Sequence, residues 1–207
     1  MEIRTFRSGP LDNGVYVLHD PDLGTAVIVD PSFDYEPVLA FITMGAFRLE
    51  AIVNTHGHFD HMVGNAACRA AVPEAPLYLH PDDAELLAVA PRQAALFGLS
   101  VIPSPPPDCW FREGEDVVLA GARWSVVHVP GHSPGSICLH REGVLIGGDV
   151  LFQGSIGRTD LPGGDGPLLR DGIREKLLVL PDETVVYPGH GPATTIGRER
   201  AYNPFLT

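Results

Sequence analysis

Four short apolar runs that each end in glycine and then histidine or aspartate constrain this chain more than any other feature. They read AIVNTHGH (51–58), VVHVPGH (126–132), VLIGGD (144–149) and VVYPGH (185–190). β-Branched residues in each run predict a buried strand, and the glycine predicts a tight turn at the strand exit. Because rigid strands aim the side chains of the loops that follow them, we expect all four exits to deliver polar groups to one edge of the sheets.

The first exit carries the densest cluster of titratable side chains, THGHFDH at residues 55–61. His56 and His58 are two residues apart, so in an extended segment they point to the same side and could share one cation. Asp60 has a structural alternative, because it stands where the N-cap of a following helix, HMVGNAACRAA, would be. An isolated histidine here would be read as a hydrogen-bonded core residue, but the whole cluster predicts a metal site.

The other three exits add three candidates, so seven side chains compete for metal. One zinc ion takes about four ligands, and we therefore expect two divalent metal ions. The expected division is a first ion on His56, His58 and His132, a second on Asp60, His61 and His190, and Asp149 as the bridge. Zinc is favoured, with iron or manganese as alternatives, because imidazole and carboxylate suit all three metals. This centre predicts metal-assisted hydrolysis, with Asp60 and Asp149 orienting the nucleophile.

Composition limits the classes of partner and the cellular compartment that we expect for this chain. The 207 residues carry a formal charge of −12 and no run of Lys or Arg, so we expect no nucleic-acid partner. No apolar run approaches the roughly 18 residues of a membrane span, and MEIRTFRSGP lacks the apolar core of a secretory signal. These features predict a cytoplasmic protein with no membrane association. Cys68, Cys109 and Cys138 form no C-x-x-C pair and are expected to be reduced, small buried side chains. Nothing in the sequence predicts the oligomeric state.

Other segments predict the scaffold. VYVLHDPDLGTAVIVD (15–30) is typical of a hairpin, and DGPLLRDGIREKLLVLPD (165–182) of an amphipathic helix covering a sheet. PDDAELLAVA (81–90) predicts a helix with Asp82 as N-cap and Glu85 completing a capping box. IPSPPPD (102–108) predicts an extended loop between two halves, with a lid as the alternative. Strands and helices interleave in both halves, which indicates an α/β fold with sheets flanked by helices.

THGHFDH, PGHSPGS, GGD and PGHG resemble the metal motifs of the metallo-β-lactamase superfamily, in the same order and across almost the whole chain. The resemblance implies a four-layer αββα sandwich formed by residues 1–207 as a single domain. It also implies a dinuclear site at the edge of the sandwich, with the ligand division given above.

LFQGSIGRTDLPGGD (151–165) and VYPGHGPATTIGRERAYNPFL (186–206) further resemble the glyoxalase II (hydroxyacylglutathione hydrolase)-like group, especially its short bacterial members. This resemblance implies hydrolysis of a thioester such as S-lactoylglutathione, so the expected partner is a small anionic thiol conjugate. Full-length members hold glutathione with a carboxy-terminal helical domain, whereas this chain ends soon after its last motif. That motif also reads GHG where those enzymes have GHEY, so glutathione would have to be held by other residues.

Three alternatives to a thioester hydrolase stay open. GRTD (157–160) is also found in persulfide dioxygenases of the superfamily, and His56, His132 and Asp149 could supply their two-histidine, one-carboxylate iron set. A lactonase or esterase fits as well, because the hydrolysis of an ester carbonyl requires the same contribution from the metal ions as that of a thioester. A non-catalytic metal-binding protein is the alternative from another class.

Arg158 is the one candidate for substrate binding outside the metal motifs. Its guanidinium could grip a substrate carboxylate, or it could form an ion pair with Asp160 that pins the loop. The ion pair is the favoured interpretation.

Overall fold

The amino-terminal half of the chain builds one six-stranded sheet. A computed structural model describes residues 1–207, and this sheet follows the chain order. Its strands are β1 (Glu2–Ser8), β2 (Asn13–Asp20), β3 (Thr25–Val29), β4 (Arg48–Val53), β5 (Leu77–Leu79) and β6 (Cys109–Trp110). Strands β1 to β3 are antiparallel and β3 to β6 are parallel. The antiparallel pairing of β2 and β3 confirms the hairpin predicted over residues 15–30.

The carboxy-terminal half builds a second six-stranded sheet. In chain order its strands are β7 (Asp116–Leu119), β8 (Ala122–His128), β9 (Ile137–Arg141), β10 (Val144–Gly148), β13 (Val185–Pro188) and β14 (Thr194–Thr195). Their spatial order is β14-β13-β10-β9-β8-β7. A separate small hairpin, β11 (Leu151–Phe152) with β12 (Ser155–Ile156), follows β10.

Helices fill the connections. They are α1 (Glu36–Met44), α2 (Phe59–Met62), α3 (Asn65–Ala71), α4 (Ala84–Ala88), α5 (Ala90–Leu96), α6 (Gly166–Gly172) and α7 (Ile196–Tyr202). A 3₁₀ turn at Pro81–Asp83 precedes α4, and a π-helical turn at Ile173–Leu177 continues α6. None of these helices has the length and apolar character needed to cross a bilayer.

Alternating side chains explain the layers. In β2, Tyr16 and Leu18 face the second sheet, whereas Val15 and Val17 face the helices of their own half. The central core also takes Trp124 from the second sheet. The outer face of the second sheet packs against α6, the π turn and α7, and these residues form a further hydrophobic cluster. Helix, sheet, sheet and helix thus succeed one another, and this confirms the α/β, four-layer αββα prediction.

The predicted helix over residues 165–182 is confirmed in its amphipathic character. Leu169, Ile173 and Leu177 are all fully buried, and the Asp165 side chain accepts a hydrogen bond from the Leu168 N–H, 3.0 Å away. The π turn at its end is a local difference from the regular helix that the pattern predicts.

The capping prediction for Asp82 is wrong, and the structure does not adopt the capping alternative for Asp60. Asp82 does not cap the helix after it; the His80 ring accepts from the Asp82 N–H instead, and α4 begins one residue later than expected. Asp60 lies within the first turn of α2, where His58 occupies the N-cap position without a side-chain bond. In both places a short or tightened turn shifts the helix start by one or two residues.

Two smaller predictions are modified. IPSPPPD forms an irregular loop, as expected, but β6 comes after it, so the loop precedes the last strand of the first sheet instead of separating the two sheets. The three cysteines form no disulfide, yet Cys109 is only half-buried, unlike Cys68 and Cys138.

The N-cap of α6 provides a test of the fold. We expect Asp165→Ala to lower the free energy of unfolding by about 1 kcal/mol, because the Leu168 N–H loses its acceptor. A drop in the melting temperature of about 2–4 °C would follow. Asp171→Ala in the same helix is the matched control, since its contact with Arg174 is a 3.9 Å exposed pair and should contribute almost nothing. Equal losses in the two variants would contradict the capping role.

Candidate metal centre

The four predicted strand exits meet at one edge of the sandwich. β4 leads into His56 and His58, β8 is followed by His132, β10 ends one residue before Asp149, and β13 ends two residues before His190. Six of the seven candidate side chains are buried, and His190 is half-buried. The parallel pairing of β10 with β13 places Gly148 beside Pro188, which sets Asp149 and His190 next to each other.

Three histidines form the first convergent group. The His132 Nε2 atom lies 2.8 Å from Nδ1 of His58 and 3.2 Å from Nε2 of His56. All three rings are buried. The structure therefore brings together the three side chains that the sequence assigned to the first ion.

Asp60, His61 and His190 form the second convergent group. The Nε2 atoms of His61 and His190 are 3.2 Å apart, and Oδ2 of Asp60 lies 3.4 Å from the former and 3.3 Å from the latter. Asn13 donates to the same Asp60 oxygen at 2.9 Å. Asp60 thus directs its carboxylate into the centre, not onto the backbone of α2.

Asp149 lies between the two groups. Its Oδ1 is 3.4 Å from Nε2 of His61, and its Oδ2 is 3.5 Å from Nε2 of His132 and 3.3 Å from Nε2 of His190. One carboxylate therefore contacts both groups, which is the position expected of a bridge.

Hydrogen bonds on the far side of four rings determine which nitrogen faces the centre. Nδ1 of His132 faces the carbonyl of Arg158 at 2.8 Å, and Nδ1 of His190 faces that of Leu11 at 2.8 Å. A carbonyl only accepts, so each of these nitrogens carries a proton. The Nε2 atoms that converge are then free to act as ligands.

Asp30 and Thr55 orient the other two rings. Nδ1 of His61 lies 3.1 Å from Oδ2 of Asp30. The Thr55 hydroxyl donates to the same oxygen at 2.7 Å and so is available to accept from Nδ1 of His56 at 3.1 Å. This buried network presents Nε2 of both histidines to the centre.

The spacing of these atoms fits cations. Zinc–nitrogen bonds of about 2.0–2.1 Å in tetrahedral geometry place ligand atoms roughly 3.3–3.4 Å apart. The ring nitrogens here are separated by 2.8–3.2 Å, and the carboxylate oxygens lie 3.3–3.5 Å from them. Lone pairs at these distances repel unless a proton or a metal ion lies between them, and two metal ions would meet this need for the whole donor set.

The protonation of the two groups differs. Burial, reinforced by neighbouring histidines, lowers the pKa of His56 well below its usual value and that of His58 to about 3. Burial acts in the same direction on His190, but hydrogen bonds to Asp149 and Asp60 outweigh it and raise its pKa to about 10. His56 and His58 are thus neutral imidazoles, whereas the carboxylates of Asp60 and Asp149 favour positive charge in the second group, which a metal ion would supply.

Asp83 connects the two halves beneath the first group, and the sequence did not single it out. Its fully buried carboxylate accepts from the Gly57 N–H at 2.8 Å, the Ser133 hydroxyl at 2.6 Å and the Gly135 N–H at 2.6 Å. Those donors flank His58 and His132, so one side chain sets the distance between the two loops. The sequence did not single out Asp30 either. Asp30 and Asp83 differ from the exposed acidic residues only in being buried, which the sequence does not show.

A cavity of about 490 Å³ opens above the centre, and the β11–β12 hairpin forms one of its walls. Glu199 of α7 is buried, and its carboxylate accepts from the Gly154 N–H at the hairpin tip at 2.7 Å. Asn203 donates to both Glu199 and the Ser155 carbonyl at 2.9 Å. The last helix therefore fixes the position of this wall.

Arg158 also borders the cavity. Its Nε and one terminal nitrogen bind the two carboxylate oxygens of Asp160 at 2.7 and 2.8 Å. The ion pair favoured from the sequence is therefore present.

Comparison with known proteins decides the family. The model of the metallo-beta-lactamase superfamily matches residues 9–190. The chain belongs to this superfamily. It is 40% identical to the hydroxyacylglutathione hydrolase GloC of Haemophilus influenzae over 188 residues, which cover 89% of each protein.

Solved structures of the superfamily agree with the fold. The crystal structure of the BLEG-1 B3 metallo-beta-lactamase matches over 100% of both chains with a TM-score of 0.92 and 40% identity. TTHA1623 in a di-iron-bound form matches with a TM-score of 0.89 and 38% identity over 98% of this chain and 100% of that one. ETHE1 from Myxococcus xanthus has a TM-score of 0.83 and 26% identity over 99% of this chain and 84% of its own. These matches confirm the resemblance stated from the motifs.

Gly189 tests the close packing of the centre. A methyl group added here would overlap Oδ1 of Asp149 and lie 2.8 Å from Cε1 of His61. We expect Gly189→Ala to displace the carboxylate and lower metal affinity by about 10–100-fold, measured by competition with a chromogenic chelator. Gly191→Ala is the matched control: it has a positive φ of +69° and open space, so it should lose about 1–2 kcal/mol of stability but no affinity.

Asp83 tests the connection between the loops. Asp83→Ala leaves three buried donors without their acceptor, so we expect the free energy of unfolding to fall by at least about 3 kcal/mol. Asp82→Ala, at the exposed neighbouring carboxylate, should stay within about 0.5 kcal/mol of the parent in urea unfolding. A parent-like Asp83→Ala would show that the loops are held by other contacts.

Proposed function

We propose that this metallo-hydrolase superfamily member is a thioester hydrolase acting on a glutathione-type substrate, for which S-lactoylglutathione is the test compound. The observation that carries the proposal is the pair of convergent donor groups joined by Asp149. The proposed first ion binds His56, His58 and His132, and the proposed second binds Asp60, His61 and His190. The likeness to GloC, named a hydroxyacylglutathione hydrolase, supports the substrate class. We also propose that residues 1–207 act as one domain.

Different residues of the chain would have different roles in the hydrolysis. Two divalent cations held here would supply a hydroxide nucleophile at neutral pH and polarise the scissile carbonyl. Asp149 contacts both histidine groups and would keep them at a fixed separation. Asn13 holds the Asp60 carboxylate, so that this aspartate would orient the attacking oxygen. The walls of the cavity would exclude bulk water from the reacting carbonyl.

We propose zinc as the native metal, with iron or manganese as alternatives. Buried imidazole and carboxylate groups suit all three metals, and no cysteine side chain lines the centre to favour a softer ion. The di-iron form of TTHA1623 shows that a relative of this length accommodates iron.

A second candidate is a mononuclear iron persulfide dioxygenase. His56, His132 and Asp149 converge, with Nε2 of His132 at 3.2 Å and 3.5 Å from the other two, and the likeness to ETHE1 is compatible with this reading. Convergence of the second group favours the hydrolase, because a single ion would leave Asp60, His61 and His190 without a cation.

Metal content and two parallel assays test the proposal. We expect protein purified without added metal to hold two equivalents, to hydrolyse S-lactoylglutathione and to consume no oxygen with glutathione persulfide. His58→Ala should lose hydrolysis by at least about 100-fold with its circular dichroism unchanged. His140→Ala, a histidine outside the centre, is the control and should keep parent activity. One iron with oxygen uptake would establish the second candidate instead, and tight metal binding with no turnover would refute both enzymes.

A further inference from the structure

The walls of the cavity above the metal centre are apolar, and this feature bears on the substrate. On one side are Leu86, Val89, Leu96 and Phe97 of the α4–α5 segment, and on the other Phe152 and Ile156 of the β11–β12 hairpin. Polar groups concentrate on the floor, where the histidines and aspartates of the centre lie. A substrate that fits this shape presents a polar reacting bond downward and an apolar portion to the walls.

Several wall residues expose apolar surface that folding alone does not explain. Leu96 is 87% exposed, Phe97 is 49% exposed, and Leu11, which also lines the cavity, is 41% exposed. Single exposed apolar residues are common on proteins, but these three border one cavity that is continuous with the centre. Covering them with an apolar ligand would remove that surface from water.

Charge on the walls is scarce. Apart from the residues of the centre, Arg158 is the one ionisable side chain that lines the cavity, and Asp160 already neutralises it through two hydrogen bonds. The only lysine of the chain, Lys176, binds Glu113 and the His128 carbonyl elsewhere. The cavity walls therefore offer no free cation to select the carboxylates of a thiol carrier.

From these observations we propose that the cavity selects thioesters by an apolar acyl chain, which lies between the α4–α5 segment and the β11–β12 hairpin. The proposal rests on the thioester hydrolase function above. The acyl group is the portion assigned to the walls, because the thiols that carry acyl groups in cells are polar and anionic. Chains of about four to eight carbons would then be better substrates than the short, polar lactoyl group, since burying each methylene contributes about fourfold.

The proposal is tested first by activity. With glutathione as the common thiol, we expect kcat/KM to rise by roughly tenfold or more from the acetyl to the hexanoyl thioester, a gain below full burial because the cavity is open on one side. Hexanoylglutathione should also exceed S-lactoylglutathione. Hydrolysis of all these thioesters at equal kcat/KM would overturn the acyl-chain proposal and leave the hydrolase function standing.

Binding provides the second, independent measurement. S-Methylglutathione and S-hexylglutathione carry an alkyl group in place of the acyl group and cannot be hydrolysed as thioesters. In calorimetric titrations of the metal-loaded protein, we expect the hexyl compound to bind at least about tenfold more tightly. If no thioester is turned over, the hydrolase function fails, and this titration alone decides the acyl-chain proposal: equal affinities overturn it.

A matched pair of variants locates the chain. Leu96→Gln changes a side chain that is 87% exposed and borders the cavity, whereas Met44→Gln changes one that is also 87% exposed, at the end of α1 and away from the cavity. Both should fold as the parent does. We expect Leu96→Gln to reduce the hexyl-over-methyl affinity ratio by about fivefold and Met44→Gln to leave it unchanged. Equal effects in the two variants would place the chain elsewhere and overturn the proposal.

Discussion

Electrostatic repulsion between buried donor atoms is the constraint on which this structure depends. Seven side chains direct ring nitrogens or carboxylate oxygens toward a small volume, and hydrogen bonds on the far side of four of the five rings hold those rings in place. Carbonyl groups of Arg158 and Leu11 hold two rings, and the Asp30–Thr55 pair holds two more. Such an arrangement costs free energy in the absence of positive charge. The stability of the scaffold and its affinity for cations are therefore coupled.

The two sheets meet at the centre through specific contacts, because each contributes only part of the donor set. The Gly14 N–H donates to the Gly189 carbonyl at 2.7 Å, and the Ile137 N–H donates to that of Thr55 at 3.0 Å. Asp83 adds a third link with its buried carboxylate. These bonds lie at the edge where the central core ends, so the packing of the sandwich and the spacing of the ligands are determined together.

Sequence patterns predicted the layers and the convergent residues because both follow from periodicity and strand exits. β-Branched runs placed β4, β8, β10 and β13, and the residues after them converge as expected. The first residues of the helices were not predicted correctly, because a 3₁₀ turn before α4 and the single turn of α2 change the capping residue. Asp30, Asp83 and Glu199 were not predicted, because a lone acidic residue carries no signal until the fold shows it to be buried among donors from distant segments.

Because the β11–β12 hairpin is attached to α7, the shape of the cavity wall is determined separately from the positions of the metal-facing side chains. The hairpin is anchored by Glu199 of the last helix and by Asn203, the C-cap of that helix, and neither residue hydrogen-bonds to a metal-facing atom. Changes in that helix can move the wall while the seven donors stay in place. A chain built in this way can diverge in what it accepts without first having to rebuild the chemistry that acts on it.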